Sequence, residues 1–96
     1  MSQTNMLTVF CYDISNDKKR RRVATIMEDY AVRVQMSVFE AILDETSVRN
    51  IASEVGAELD PGDSFRIYCI SDIGRRRSFT VGSGAGILEE DEFIIL

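Results

Sequence analysis

"MLTVFCYDISNDKKRRRVATIMEDYAVRVQMSVFEAIL", residues 6–43, decides the fold of this chain, because its apolar spacing changes period along its length. Residues 6–14 are rich in β-branched and aromatic side chains and apolar at both parities, the pattern of a strand covered on both faces. "SND" at 15–17 then supplies helix-capping side chains. Val23, Ile26, Met27 and Tyr30 follow the i, i+3, i+4, i+7 spacing, so Asp17 to Tyr30 reads as an amphipathic helix. Beyond it Val32, Val34, Met36 and Val38 alternate, and the parity breaks as Phe39, Ala41 and Leu43 join. Two strands meeting in a tight reversal near Gln35 to Ser37 account for that break.

The remaining chain continues the alternation of elements. A second helix is expected over about 46–58, with Val48, Ile51, Ala52, Val55 and Leu59 on one face. "DPGD" at 60–63 is a turn, Pro61 suiting its second position and Gly62 its third, and "SFRIYCI" at 64–70 is a strand. After it come an arginine cluster read as a loop, a short "SFTV" strand at 78–81, a "GSGAG" hinge, an acidic run and a terminal "FIIL". The sum is β-α-β-β-α-β, an α+β ferredoxin-like arrangement with an antiparallel sheet and both helices on one face. Residues 1–96 read as a single domain, with 78–96 as a C-terminal extension. Phe65, Ile67 and Cys69 alternate with Tyr68 and Ile70, so the face away from the helices is apolar too. A second subunit is its expected cover, which makes the chain a homodimer. "FIIL" is too apolar for a free tail and is expected to pair as an added strand with the partner's sheet.

Composition narrows the chemistry. Histidine is absent, which excludes Ser-His and Cys-His nucleophiles and His-ligated zinc. Cys11 and Cys69 lie in expected strands without metal-ligand spacing, as reduced thiols. No run of about 18 apolar residues exists, so no membrane span is expected. The opening "MSQTNM" lacks the basic start and apolar core of a secretory signal. The formal net charge of −5 misleads, because eight of the eleven basic residues sit in two clusters. These are Lys18, Lys19, Arg20, Arg21 and Arg22, then Arg75, Arg76 and Arg77, and a phosphate backbone responds to such local fields rather than to the sum.

Asp13 stands at the end of the first strand, beside five consecutive cations. A carboxylate there ordinarily caps the next helix, but Ser15 and Asn16 already serve that purpose. If a dimer packs the open faces together, two copies of Asp13 come close, and facing carboxylates repel unless one is protonated or a divalent cation lies between them. An oxygen-only site of this kind suits Mg²⁺ or Mn²⁺, which can polarise a phosphodiester and generate an attacking hydroxide. A run of cations on a helix is commonly a solvated face. Here, however, it opens the helix, where the macrodipole disfavours positive charge. Lys19 falls in the first turn near Asp13, and the ridge as a whole would hold a phosphate backbone without reading bases.

Together "VFCYDISNDKKRRRVATIMEDYAVRVQMSVFEAIL" and "DSFRIYCI" resemble the CRISPR-associated Cas-two family, the smaller of two spacer-acquisition proteins, from residue 7 to about 72. The last twenty residues match only in pattern. The resemblance implies a ferredoxin-like dimer joined through its sheets, with the C-terminal strand crossing to the neighbour, in a prokaryotic cytoplasm. It also implies a metal-dependent endonuclease whose first-strand aspartate is Asp13 here, acting on RNA or double-stranded DNA. In the same family the dimer bridges integrase subunits that hold DNA, a scaffold role in which the cations matter and the aspartate need not. The poverty of acid/base groups favours the scaffold, and Asp13, otherwise unexplained, favours the enzyme.

Overall fold

The computed structural model describes residues 4–84 and 86–88. Seven elements follow in chain order: β1 (Met6–Asp13), α1 (Asp17–Glu28), β2 (Val32–Gln35), β3 (Val38–Leu43), α2 (Glu45–Gly56), β4 (Ser64–Ile70) and α3 (Asp72–Arg77). The four strands form one sheet in the order β2-β3-β1-β4, every neighbouring pair antiparallel. This is the expected split βαβ topology, with β1 and β3 central.

Each helix starts where a side chain replaces missing backbone acceptors. Asn16 accepts from the Lys19 N–H, Asp44 from Ser47 and Ser71 from Gly74. The turn before β4 carries the Asp63 N–H onto the Asp60 carbonyl at 3.0 Å, and Gly62 supplies its positive φ of 92°.

Strand alternation sorts the sheet into two faces. Phe10 lies in register with Phe39 on one side and Ile67 on the other, and Tyr12 lies beside Phe65. These residues meet Val23 and Met27 of α1 and Ile51 and Val55 of α2 in a single core. The aromatic stack is continuous, with ring centroids 5.8 Å apart for Phe10–Phe65 and 6.2 Å for Tyr12–Phe39. The opposite face carries Leu7, Val9, Cys11 and Asp13, in register with Ile42, Glu40 and Val38 of β3 and with Ile70, Tyr68, Arg66 and Ser64 of β4. Val9, Val38, Ile42 and Ile70 are half-buried, so this face is apolar as expected.

The region after β4 differs from the sequence reading. Arg75, Arg76 and Arg77 belong to α3, not to a loop, because Ser71 caps the turn and Asp72 pairs with both Arg75 (2.8 Å) and Arg76 (2.5 Å). Those guanidiniums, Arg75 first, hold the Asp72 carboxyl below the usual range. α3 approaches the open face at its Leu7–Ile70 end, and Gly74 lies so close that a Cβ there would sit 2.9 Å from the Ile70 side chain. Residues 78–81 form no strand, since Ser78 ends α3 and Phe79 and Val81 are exposed without a ladder partner among the described residues. "FIIL" at 93–96 lies outside the described residues.

Glu40 breaks the apolar pattern of the open face. It is 9% exposed, accepts a hydrogen bond from the Leu88 amide, and leaves Oε1 without a partner among the described residues. Burial pushes its carboxyl above the usual range, and the Leu88 amide opposes this in part. The folded state therefore holds this proton more tightly than the unfolded chain does. Its contribution to stability is complete below the ordinary glutamate value and is lost as pH rises through the raised one. Glu40→Gln should remove that decline. Thermal melts from pH 4 to 7 are expected to be flatter for the variant and its midpoint higher at pH 7, by about 4–8 °C for each 1 kcal/mol relieved.

Candidate active site and basic surface

Asp13 is the last residue of β1 and lies opposite Ser64. It is exposed, stands on the open face by strand alternation, and makes no hydrogen bond or ion pair with a described residue. The loops around it are tied down. Asp63 accepts from the Ser15 N–H at 3.3 Å through one oxygen and from the Asp60 N–H at 2.9 Å through the other. Lys19 then donates to Asp60 at 2.5 Å, and Arg20 donates to the Ile14 carbonyl at 2.9 Å. The β1–α1 loop and the turn before β4 thus form one clamp behind Asp13.

Lys19, expected near Asp13, pairs with Asp60, because the register of β1 and β4 sets the turn at 60–63 beside the start of α1. Arg20 pairs with Asp17, and Arg22 with Glu58 at 2.8 Å. Of the five-cation run only Lys18 and Arg21 have no acid partner among the described residues. Arg75 and Arg76 share Asp72, while Arg77 is exposed without an acid partner among the described residues. The expected ridge is therefore partly neutralised, and the second cluster sits on a helix at the far end of the sheet. Two cations escaped the sequence reading. Arg33 of β2 stacks over Phe39 at 5.1 Å from the ring centroid, and Arg66 of β4 lies over Tyr68 and donates to its hydroxyl at 2.7 Å. Their isolated charges within strands were the available signal.

No group of three or more His, Cys, Asp or Glu side chains suited to a metal occurs among the described residues. A single chain offers Asp13, a hard oxygen ligand with no partner among the described residues. Such a donor fits a hydrated Mg²⁺ or Mn²⁺, which binds through one or two carboxylates plus substrate phosphates and water. No helix among the described residues is long and apolar enough to cross a membrane.

The family description "CRISPR associated protein Cas2" matches residues 6–77, from the start of β1 to the end of α3. A "CRISPR-associated endoribonuclease Cas2 3" of Chloroflexus aurantiacus is 35% identical over 91 residues, 94% of this chain and 98% of the relative. The crystal structure of Streptococcus pyogenes Cas2 at pH 6.5 superposes with a TM-score of 0.68 at 31% identity, over 80% of this chain and 100% of that one. One chain of a partial Cas6-RT-Cas1–Cas2 complex shares the fold, with a TM-score of 0.56 at 24% identity over 79% of this chain and 90% of that one. With β1, α1 and the clamp around Asp13 all inside the matched span, this chain belongs to the CRISPR-associated Cas2 family.

Proposed function

We propose that the chain is an endonuclease of spacer acquisition, hydrolysing phosphodiesters of RNA or double-stranded DNA with Mg²⁺, or Mn²⁺ in its place, held by Asp13. The observation that carries this reading is Asp13 itself, an exposed carboxylate with no partner among the described residues at the border of an apolar face. In a homodimer closed through that face, each Asp13 would gain its counterpart across the twofold axis. The metal, when bound, supplies polarisation of the phosphodiester and a water acidic enough to attack at neutral pH. The chain's own part is positional. Asp63 and Asp60 fix the loops on either side of Asp13, Lys18 and Arg21 attract the polyanion, and Asp13 holds a negative charge facing outward.

A second reading is a dimer that bridges integrase subunits on DNA. The absence of histidine favours it, since no imidazole stands by to move protons, and the Cas1–Cas2 assembly containing a chain of this fold supports it. One experiment addresses both: highly purified wild type and Asp13→Asn are compared for Mg²⁺-dependent cleavage and then for spacer integration with the integrase. Cleavage by the wild type alone upholds the nuclease. Equal residual cleavage points to a contaminant and leaves the scaffold.

A further inference from the structure

Three arginines converge on one cleft of about 330 Å³ at the C-terminal end of β1. Arg20 and Arg21 come from the start of α1 and Arg33 from β2, with Tyr12, Ala24, Met36 and Ser37 completing the lining. Arg20 is engaged by Asp17 and the Ile14 carbonyl. Arg21 and Arg33 are different. Of the eleven lysines and arginines, only Lys18, Arg21, Arg33 and Arg77 have no acid partner or side-chain hydrogen bond among the described residues, and two of these four share this cleft.

Placing like charges in one concavity without an intervening acid costs stability and raises the local positive potential, as sites that receive an anion do. Stacking on the Phe39 ring orients the Arg33 guanidinium without neutralising it, leaving its fork of N–H donors for a ligand. Guanidiniums match phosphate oxygens two at a time, which makes phosphate the fitting anion. Met36, 85% exposed at the β2–β3 reversal, gives the cleft an apolar lip suited to sugar and base carbon. Tyr12 faces the cleft and Asp13 follows it on the other side of the sheet, so a strand passing round the end of β1 meets both.

We propose that this cleft seats one internal backbone phosphate of a polynucleotide through Arg21 and Arg33, adjacent to the linkage presented to Asp13. The assignment rests on the reading that the chain acts on nucleic acid, and its test needs no cleavage. Binding of a labelled RNA and a DNA duplex is measured in EDTA across a salt series. Arg21→Gln and Arg33→Gln should each weaken binding about 10-fold at low salt and reduce the slope of log K against log salt by about 1. Arg49→Gln, whose wild-type residue pairs with Glu45 on α2 outside both basic clusters, should leave the slope unchanged. Arg33→Lys keeps the charge but not the fork, so it should keep the slope and lose affinity; this variant and Arg21→Gln carry the test if Arg33→Gln lowers the melting temperature. Equal affinity for oligonucleotides with and without a 5′-phosphate is expected of an internal site. A 5′-phosphate preference that disappears in the variants would overturn it, as would wild-type slopes for both Arg21→Gln and Arg33→Gln. A wild type that binds neither polymer would instead defeat the underlying nucleic-acid reading.

Discussion

Asp13→Asn is expected to reduce Mg²⁺-dependent cleavage by on the order of 100-fold or more while leaving the fold unchanged. The magnitude follows from removing charge at the reacting centre, where the loss of even one preorganised electrostatic contact typically costs about 100- to 1,000-fold. Asparagine keeps the shape of the side chain, but its neutral oxygen is a poor ligand for a hard cation. Stability should be indifferent, because Asp13 is exposed and without a described partner, and such substitutions usually stay within about 0.5 kcal/mol. Its β-ladder position opposite Ser64 is compatible with either side chain. Gel-resolved cleavage time courses and matched thermal melts check both halves. A melting shift of many degrees would give Asp13 a structural role that its surroundings do not suggest.

The largest effect on stability is expected from Phe10→Ala. Phe10 is fully buried at the centre of the sheet, between Phe39 and Ile67 in register and stacked on Phe65. Truncating a buried phenylalanine costs about 3–5 kcal/mol, a large share of the about 5–15 kcal/mol that holds a domain together. At about 4–8 °C per kcal/mol for a domain of this size, the midpoint should fall by more than about 12 °C. Met36→Ser, at the exposed reversal, is the contrasting control and should leave the midpoint close to wild type. Urea titration of both variants at one pH measures the difference directly.

The elements and their order were legible because period is a local property. The shift from both-parity apolar residues to a 3.6 spacing marks β1 and α1, and the broken alternation marks the reversal between β2 and β3. α3 was not legible in this way. Its six residues contain one large apolar side chain, Ile73, which is exposed, so no amphipathic pattern exists. Its signal lay in the Ser71 cap and in the spacing of Asp72 to Arg75 and Arg76. Glu40 was missed for a different reason, since a carboxylate in a strand gives no hint that Leu88, distant in sequence, will donate an amide to it.

The site divides along the same line. Asp13 could be singled out from its place at a strand's end. The state of its cationic neighbours could not, because their partners Asp60 and Glu58 are brought to α1 only by the packing of α2 and the register of β4. Charge in a sequence counts every arginine alike, whereas the fold neutralises Arg22 and leaves Arg21 without a described acid partner. Arg33 gained its place in the cleft through the β2–β3 pairing, which sets it in register with Phe39.

Whether two Asp13 carboxylates serve one centre can be measured by denaturing equal amounts of wild type and Asp13→Asn together, refolding them, and assaying Mg²⁺-dependent cleavage. Random pairing places two intact subunits in about one quarter of the dimers. A shared centre predicts about one quarter of the activity of the same total amount of wild type refolded alone. About one half, the value for subunits that each cut independently, would contradict it.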